Sequence, residues 1–258
     1  MNASFKCIVK PMTVCVLRSN NRAICNVTAN PIEACVRNIL AARFSSIGLQ
    51  TIRLPLGAGP EDANIPILAT PNLPTAKRII IYLGEIEQDL GVFSHRSIKD
   101  SLATGSCLKF VTDAMAQGSD VAVVIANLGQ TLWYWGGRRA LTWKSWNALP
   151  RKTAVNPGLV VGPGNKVPGH ENAEAHVVGV MDSIRDVMSS SAKVELIALC
   201  EGAEFGIRYL NEKWDKWNGS IACMAVGLGY IWDLDTLIDR EELKDFVGKV
   251  HCSVSVSV

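Results

Sequence analysis

Val194-Glu-Leu-Ile-Ala-Leu-Cys-Glu-Gly-Ala203 is the stretch whose reading decides how this 258-residue chain folds. Residues 194–199 form an apolar run of strand length, and helical character begins at Ala203, so a strand covered on both faces passes almost directly into a helix. A turn that tight leaves no room for bulky side chains two positions before and two after its centre. Ala198 and Gly202 meet that demand, which is the requirement of a nucleophile elbow. Cys200 stands at the centre, where the amides and dipole of a helix N-terminus lower a thiol pKa and bind an oxyanion. Glu201 works against this by repelling a thiolate. The same Ala, Cys and Gly also serve close strand-on-helix packing with no chemistry at all.

The alternation continues outward. Residues 78–83, 120–126 and 221–229 are further apolar runs bounded by turn residues, and 100–117, 171–188 and 203–217 read as helices between them. In the second helix Ala173, Val177, Val180, Met181, Ile184 and Val187 recur at helical spacing. This predicts an α/β fold with a doubly wound, mostly parallel sheet and right-handed crossovers. Residues 1–62 read as a strand-helix-strand lead-in: short β-like runs at 13–17 and 50–56 flank a helix capped by Asn30 and opened by Pro31, with Ile32, Cys35, Val36, Ile39 and Leu40 on one face. The turn at 57–60 is a surface loop rather than a linker, so 1–258 is read as a single α/β domain.

Residues 129–169 hold Trp133, Trp135, Trp143 and Trp146 with several Gly and Pro and little periodicity. This Trp-rich insertion is too long for a simple βα loop, and it is expected as a lid over the carboxyl edge of the sheet, where open α/β folds place their crevices. The alternating residues 253–258 read as a last strand, at a point compatible with a truncated reading frame.

Composition narrows the function. The chain is 48% apolar and 19% charged, and 26 Lys and Arg against 24 Asp and Glu leave a net charge of +2. No global field therefore draws it to nucleic acid or to an anionic membrane. Lys6, Lys10 and Pro11 interrupt the opening residues before a signal-peptide core forms, and no run reaches membrane-spanning length. A cytoplasmic or nuclear protein is expected, in which the Asn26-Val-Thr28 and Asn218-Gly-Ser220 sequons carry no meaning. The eight cysteines include no CxxC pair and no matching histidine spacing, so neither a metal nor a cofactor is predicted.

The candidate catalytic set is Cys200, Asp235 and His251, because hydrolases built on this turn order their triad as nucleophile, acid and histidine, and His251 is the one histidine after Cys200. A catalytic histidine belongs on a loop beyond the last strand, however, whereas His251 falls in or just before it. Asp233 and Asp235 are equally good caps for a helix over 236–246. The full triad is therefore not expected. His170 and His176 flank the start of a helix and read as structural, and the acidic Glu171 and Glu174 complement its dipole. Arg138, Arg139, Lys144, Arg151 and Lys152 interleave with the tryptophans. They could hold phosphates while the indoles stack bases, but a packed lid with solvated or indole-stacked cations is preferred. Glu85, directly after a strand, sits where an oxyanion-hole amide would be supplied, and an acidic residue is poor for that task.

Several segments carry a family resemblance: Asn64-Ile-Pro-Ile67, the 78–84 strand with Gln88-Asp-Leu-Gly91 after it, Ala126-Asn-Leu-Gly-Gln-Thr-Leu-Trp133, Arg139-Ala-Leu-Thr142 through Trp146 to Pro150-Arg151, and Gly164-Asn165 leading to Glu174-Ala-His176-Val177. Over roughly 64–229 the sequence resembles the Argonaute-binding-protein domain, an α/β-hydrolase-like module also found at the C-terminus of yeast-type class II histone deacetylases. The resemblance implies small-RNA-directed or deacetylase-linked silencing through binding, with Argonaute or a chromatin-silencing component as partner. The residues put forward for binding are Glu85, Asp89, Asn127, Gln130, Trp133, Arg139, Trp146, Arg151 and His176. Family members that keep an elbow have serine there and a histidine in a C-terminal segment, whereas this chain has Cys200 and stops near that segment. A non-catalytic interaction domain is expected. The alternatives are a cysteine-dependent esterase or lactonase using Cys200, and RNA binding through the Arg and Trp of the insertion.

Overall fold

A computed structural model of the protein describes residues 22–94, 98, 101–151, 158–227 and 234–253. In chain order its strands are β1 (Gln50–Leu54), β2 (Ile65–Ala69), β3 (Arg78–Leu83), β4 (Val121–Ile125), β5 (Leu132–Tyr134), β6 (Arg139–Leu141), β7 (Lys193–Leu199), β8 (Ile221–Gly227) and β9 (His251–Ser253). Its helices are α1 (Arg22–Ser46), α2 (Leu102–Gly105), α3 (Leu108–Met115), α4 (Trp143–Asn147), α5 (Ala173–Val187), α6 (Glu201–Trp217), α7 (Leu234–Leu237) and α8 (Glu241–Val250).

Seven strands make one sheet in the spatial order β1-β2-β4-β3-β7-β8-β9. β2 runs antiparallel to both its neighbours, and every pairing from β4 to β9 is parallel. That order, with a sharp strand-to-helix turn after the fifth strand in space, is the α/β-hydrolase-like arrangement. The apolar runs serve it because alternate residues face opposite helical layers. Ile79, Ile81 and Leu83 join Val177, Val180, Met181 and Ile207 in one core layer. Ile80 and Tyr82 join Leu40, Phe44, Leu108 and Val111 in the other. On the first side the indole N–H of fully buried Trp217 donates to the Tyr209 hydroxyl, which donates to Asp182, and the Arg185 guanidinium lies over the Trp217 ring at 5.7 Å. The cation–π contact sits there, on α5 and α6. Among the described residues no helix is long and apolar enough to cross a membrane.

Several expected elements are corrected. The N-terminal helix starts at Arg22, so Asn30 and Pro31 lie inside it rather than at its start. Its buried face is Val36, Leu40 and Phe44, an i, i+4, i+8 line, which leaves Cys35 and Ile39 exposed. β2 is a strand the sequence concealed, because Pro66 inside it argues against an interior strand. The helix expected over 100–117 is two pieces: Ser106 pairs with Val92 in an isolated bridge, and Gly105 packs against the Ile98 backbone. Val187, assigned to the buried stripe of α5, is exposed at its end. The helix expected over 236–246 breaks between α7 and α8, where the Asn211 side chain accepts from the Asp239 and Arg240 amides. Residues 129–169 are more regular than their composition indicated, since β5 and β6 form a hairpin. The run at 13–17 and residues 254–258 lie outside the described residues.

The turn from β7 into α6 depends on one close approach. A Cβ on Gly202 would lie 2.5 Å from the Gly84 carbonyl oxygen and 2.6 Å from that of Leu83, both backbone atoms that cannot step aside. Gly202→Ala is therefore expected to lower stability by about 1–3 kcal/mol. Gly219→Ala adds a methyl with nothing within 4 Å and should stay within about 0.5 kcal/mol of the parent; urea denaturation followed by tryptophan fluorescence reads both.

Candidate functional site

Cys200 sits at the elbow between β7 and α6 with φ 51° and ψ −122°, a left-handed conformation that a non-glycine residue adopts only under constraint. Its amide donates to the Gly227 carbonyl at 2.7 Å, and its own carbonyl accepts from Ala203 and Glu204 as α6 begins. The half-buried thiol donates to Glu85 Oε1 at 3.4 Å, and Gln88 Nε2 donates to Oε2 of the same carboxylate. Burial first, then the Glu85 charge and hydrogen bond, then Glu201, push the thiol up to about 11. The helix dipole is thus outweighed: two carboxylates and partial burial keep the sulfur protonated at neutral pH.

Behind the elbow, a chain of buried polar side chains ties the loop after β3 to the loop after β4. Arg37 of α1 donates to Asp89 at 3.1 Å, and Gln130 Nε2 donates to the other Asp89 oxygen at 2.9 Å. Asn127 Nδ2 donates to Gln130 Oε1 and to the Pro66 carbonyl in β2, while the Gln130 amide donates to Asn127 Oδ1. The Asn127 amide then donates to His176 Nε2, which fixes the His176 proton on Nδ1, facing His170 Nδ1 at 3.1 Å. Gly129 is required between these partners, because a Cβ there would overlap the Gln88 carbonyl. Asp89, Asn127, Gln130 and His176, four of the residues put forward for binding, are therefore 3%, 1%, 6% and 0% exposed. They form a clamp rather than a surface. Among the described residues, no group of three His, Cys, Asp or Glu side chains is arranged to hold a metal ion.

The remaining candidates are dispersed. Trp133 is buried against Ile65, Ala140 and Val167, and its indole nitrogen has no hydrogen-bond partner among the described residues. Trp146 is buried and donates to the Leu159 carbonyl. Arg139 is exposed on β6, with its pKa lowered by partial burial and by Arg37 nearby. Arg151 is exposed beside Gly158. Of the insertion's other named cations, Arg138 pairs with Glu61 and Lys144 with Glu33 at 2.6 Å, while Lys152 lies outside the described residues. His251 begins β9 level with Met224 of β8, which is level with Leu196 of β7. Its backbone is therefore two strands, about 10 Å, to the side of the elbow strand and four residues short of Cys200. The side chains of His251 and Asp235 lie outside the described residues. Beside the elbow, Ile86, Leu128, Leu132, Trp143 and Phe205 line a cleft of about 360 Å³ at the carboxyl edge of the sheet. No signal in the sequence marked Ile86 or Phe205, which are ordinary apolar residues, and Leu128 entered only as part of the 126–133 motif.

The histidine pair makes stability pH-dependent. Burial, with a smaller contribution from His170, lowers His176 to about 3, and burial lowers His170 as well. The unfolded chain takes up both protons near pH 6.5, ahead of the folded chain, in which His176 is protonated only near pH 3. Stability is thus complete above about pH 7 and is lost as pH falls towards 3, by up to about 1.4 kcal/mol per pH unit for each proton. His176→Gln, weaker at pH 7, should show a shallower decline between pH 7 and 4.5 in urea melts; parallel curves would exclude the histidine as the cause.

None of the curated proteins matches the chain. One solved structure, described as a hydrolase from Agrobacterium vitis S4, aligns with a TM-score of 0.39 at 11% identity, over 78% of this chain and 61% of that one. The model of the Arb2 domain (Argonaute-binding protein 2) matches residues 17–254. Every described strand, both sides of the clamp and the elbow fall within that span, and the chain belongs to the Arb2 domain family.

Proposed function

We propose that this chain is a non-catalytic, hydrolase-like binding module that joins a protein partner, Argonaute or a component of chromatin silencing, in the nucleus or cytoplasm. The hydrogen bond from the Cys200 thiol to Glu85 carries this reading. A cysteine nucleophile needs a neighbouring group that lowers its pKa or removes its proton, and here the neighbour raises it. The same carboxylate stands at the loop after β3, where hydrolases present an amide to the developing oxyanion, and a negative charge there opposes the transition state. The two histidines whose side chains are described are neutral, and they bond to one another and to the Asn127 amide. The family supplies the partner class. The lid supports RNA less well, since Arg138 and Lys144 already have carboxylate partners.

The strained turn at Cys200 is a feature an esterase or lactonase would share, and reactivity separates the two readings. With the thiol at about 11 against an ordinary 9.0, alkylation of Cys200 at pH 8 should run about 100-fold slower than that of an exposed cysteine, and Glu85→Gln should accelerate it about tenfold. Rapid labelling of Cys200 by an electrophilic ester probe, abolished in Cys200→Ala, would establish a nucleophile and overturn the proposal. Affinity purification of the full chain is expected to recover Argonaute or a silencing component; consistent recovery of neither would also reject it.

A further inference from the structure

The cleft beside the elbow plays no part in the clamp or in the Cys200 contact. It is at the small end of the roughly 300–1,000 Å³ usual for ligand pockets, with room for a few side chains. Its walls are apolar, and two of them face solvent, with Ile86 39% and Trp143 62% exposed. Its rim is acidic. Glu174 lines it, Glu87 follows Ile86, and Glu201 stands one helical turn before Phe205 on α6. None of these three carboxylates forms a salt bridge among the described residues. The one lysine lining the cleft, Lys166, donates to the Glu171 carbonyl and keeps its charge, so one cation stands against these three carboxylates. A chain with net charge +2 therefore presents a locally negative, apolar depression.

From this charge complementarity we infer that the cleft docks a basic segment of the protein partner. An aliphatic or aromatic side chain fills the cleft, and flanking Lys or Arg meet Glu87, Glu174 and Glu201 and lie on the Trp143 indole. Phosphate backbones and anionic lipid surfaces meet like charge here and are excluded. The inference rests on the proposed binding role and adds the place and chemistry of the contact.

The test uses the full chain and a short fluorescein-labelled peptide with Leu and Phe set between Lys and Arg, read by polarisation. Saturable binding is expected, about tenfold weaker in high salt and about tenfold weaker again in Glu87→Lys/Glu174→Lys, with Trp143→Ala several-fold weaker; circular dichroism checks that each variant is folded. Equal binding of a peptide with Glu in place of Lys and Arg, or affinity unmoved by the charge reversal, would overturn the inference. So would self-association of the chain that the same variants abolish, since the occupant would then be a second copy. Purification of Argonaute or a silencing component with the parent but not with the double variant supports the site. Equal recovery by both removes the cleft while the binding role stands, and recovery by neither removes the binding role itself.

Discussion

The buried hydrogen-bond chain from Arg37 through Asp89, Gln130 and Asn127 to His176 is the constraint on which the crevice depends. These groups have almost no access to water, so each must find its partner inside the protein or leave a polar atom unpaired at a cost of about 1–3 kcal/mol. The chain draws on α1, the loops after β3 and β4, and α5, while Asn127 also reaches back to β2. Five segments distant in sequence are thereby held in one arrangement. Gly129 lets the two loops touch.

The elbow is held in the same way, by backbone rather than by chemistry. Gly202 brings α6 against the end of β3, and the Cys200 amide reaches the Gly227 carbonyl of the next strand. In a hydrolase such a turn presents a reactive atom to substrate. Here its side chain bonds to Glu85, which ties the turn between β7 and α6 to the loop after β3.

The family motif acquires a physical meaning in this light. Asn127, Gly129 and Gln130, together with Asp89 and His176, are buried and keep the frame together. The lid tryptophans divide in the same sense, Trp133 and Trp146 filling the interior while Trp135 and Trp143 face outward.

The sequence by itself determined the strands β3, β4, β7 and β8, the turn at Cys200 and the doubly wound class, because apolar runs and tight-turn residues are local requirements that each segment states alone. It did not reveal β2, whose Pro66 contradicts local strand preference and is tolerated near the start of the strand, paired with Arg53 of β1 and ahead of the Leu68 and Ala69 that pair with β4. Nor did it show that the thiol's partner is Glu85, that His176 bonds to His170, or that Ile86, Leu128 and Phe205 share a cleft. Those pairs lie up to 119 residues apart, from Ile86 to Phe205, and only the order in which the strands associate brings them together. Periodicity reports which face of a segment is buried, whereas the identity of what it is buried against is set by the tertiary fold.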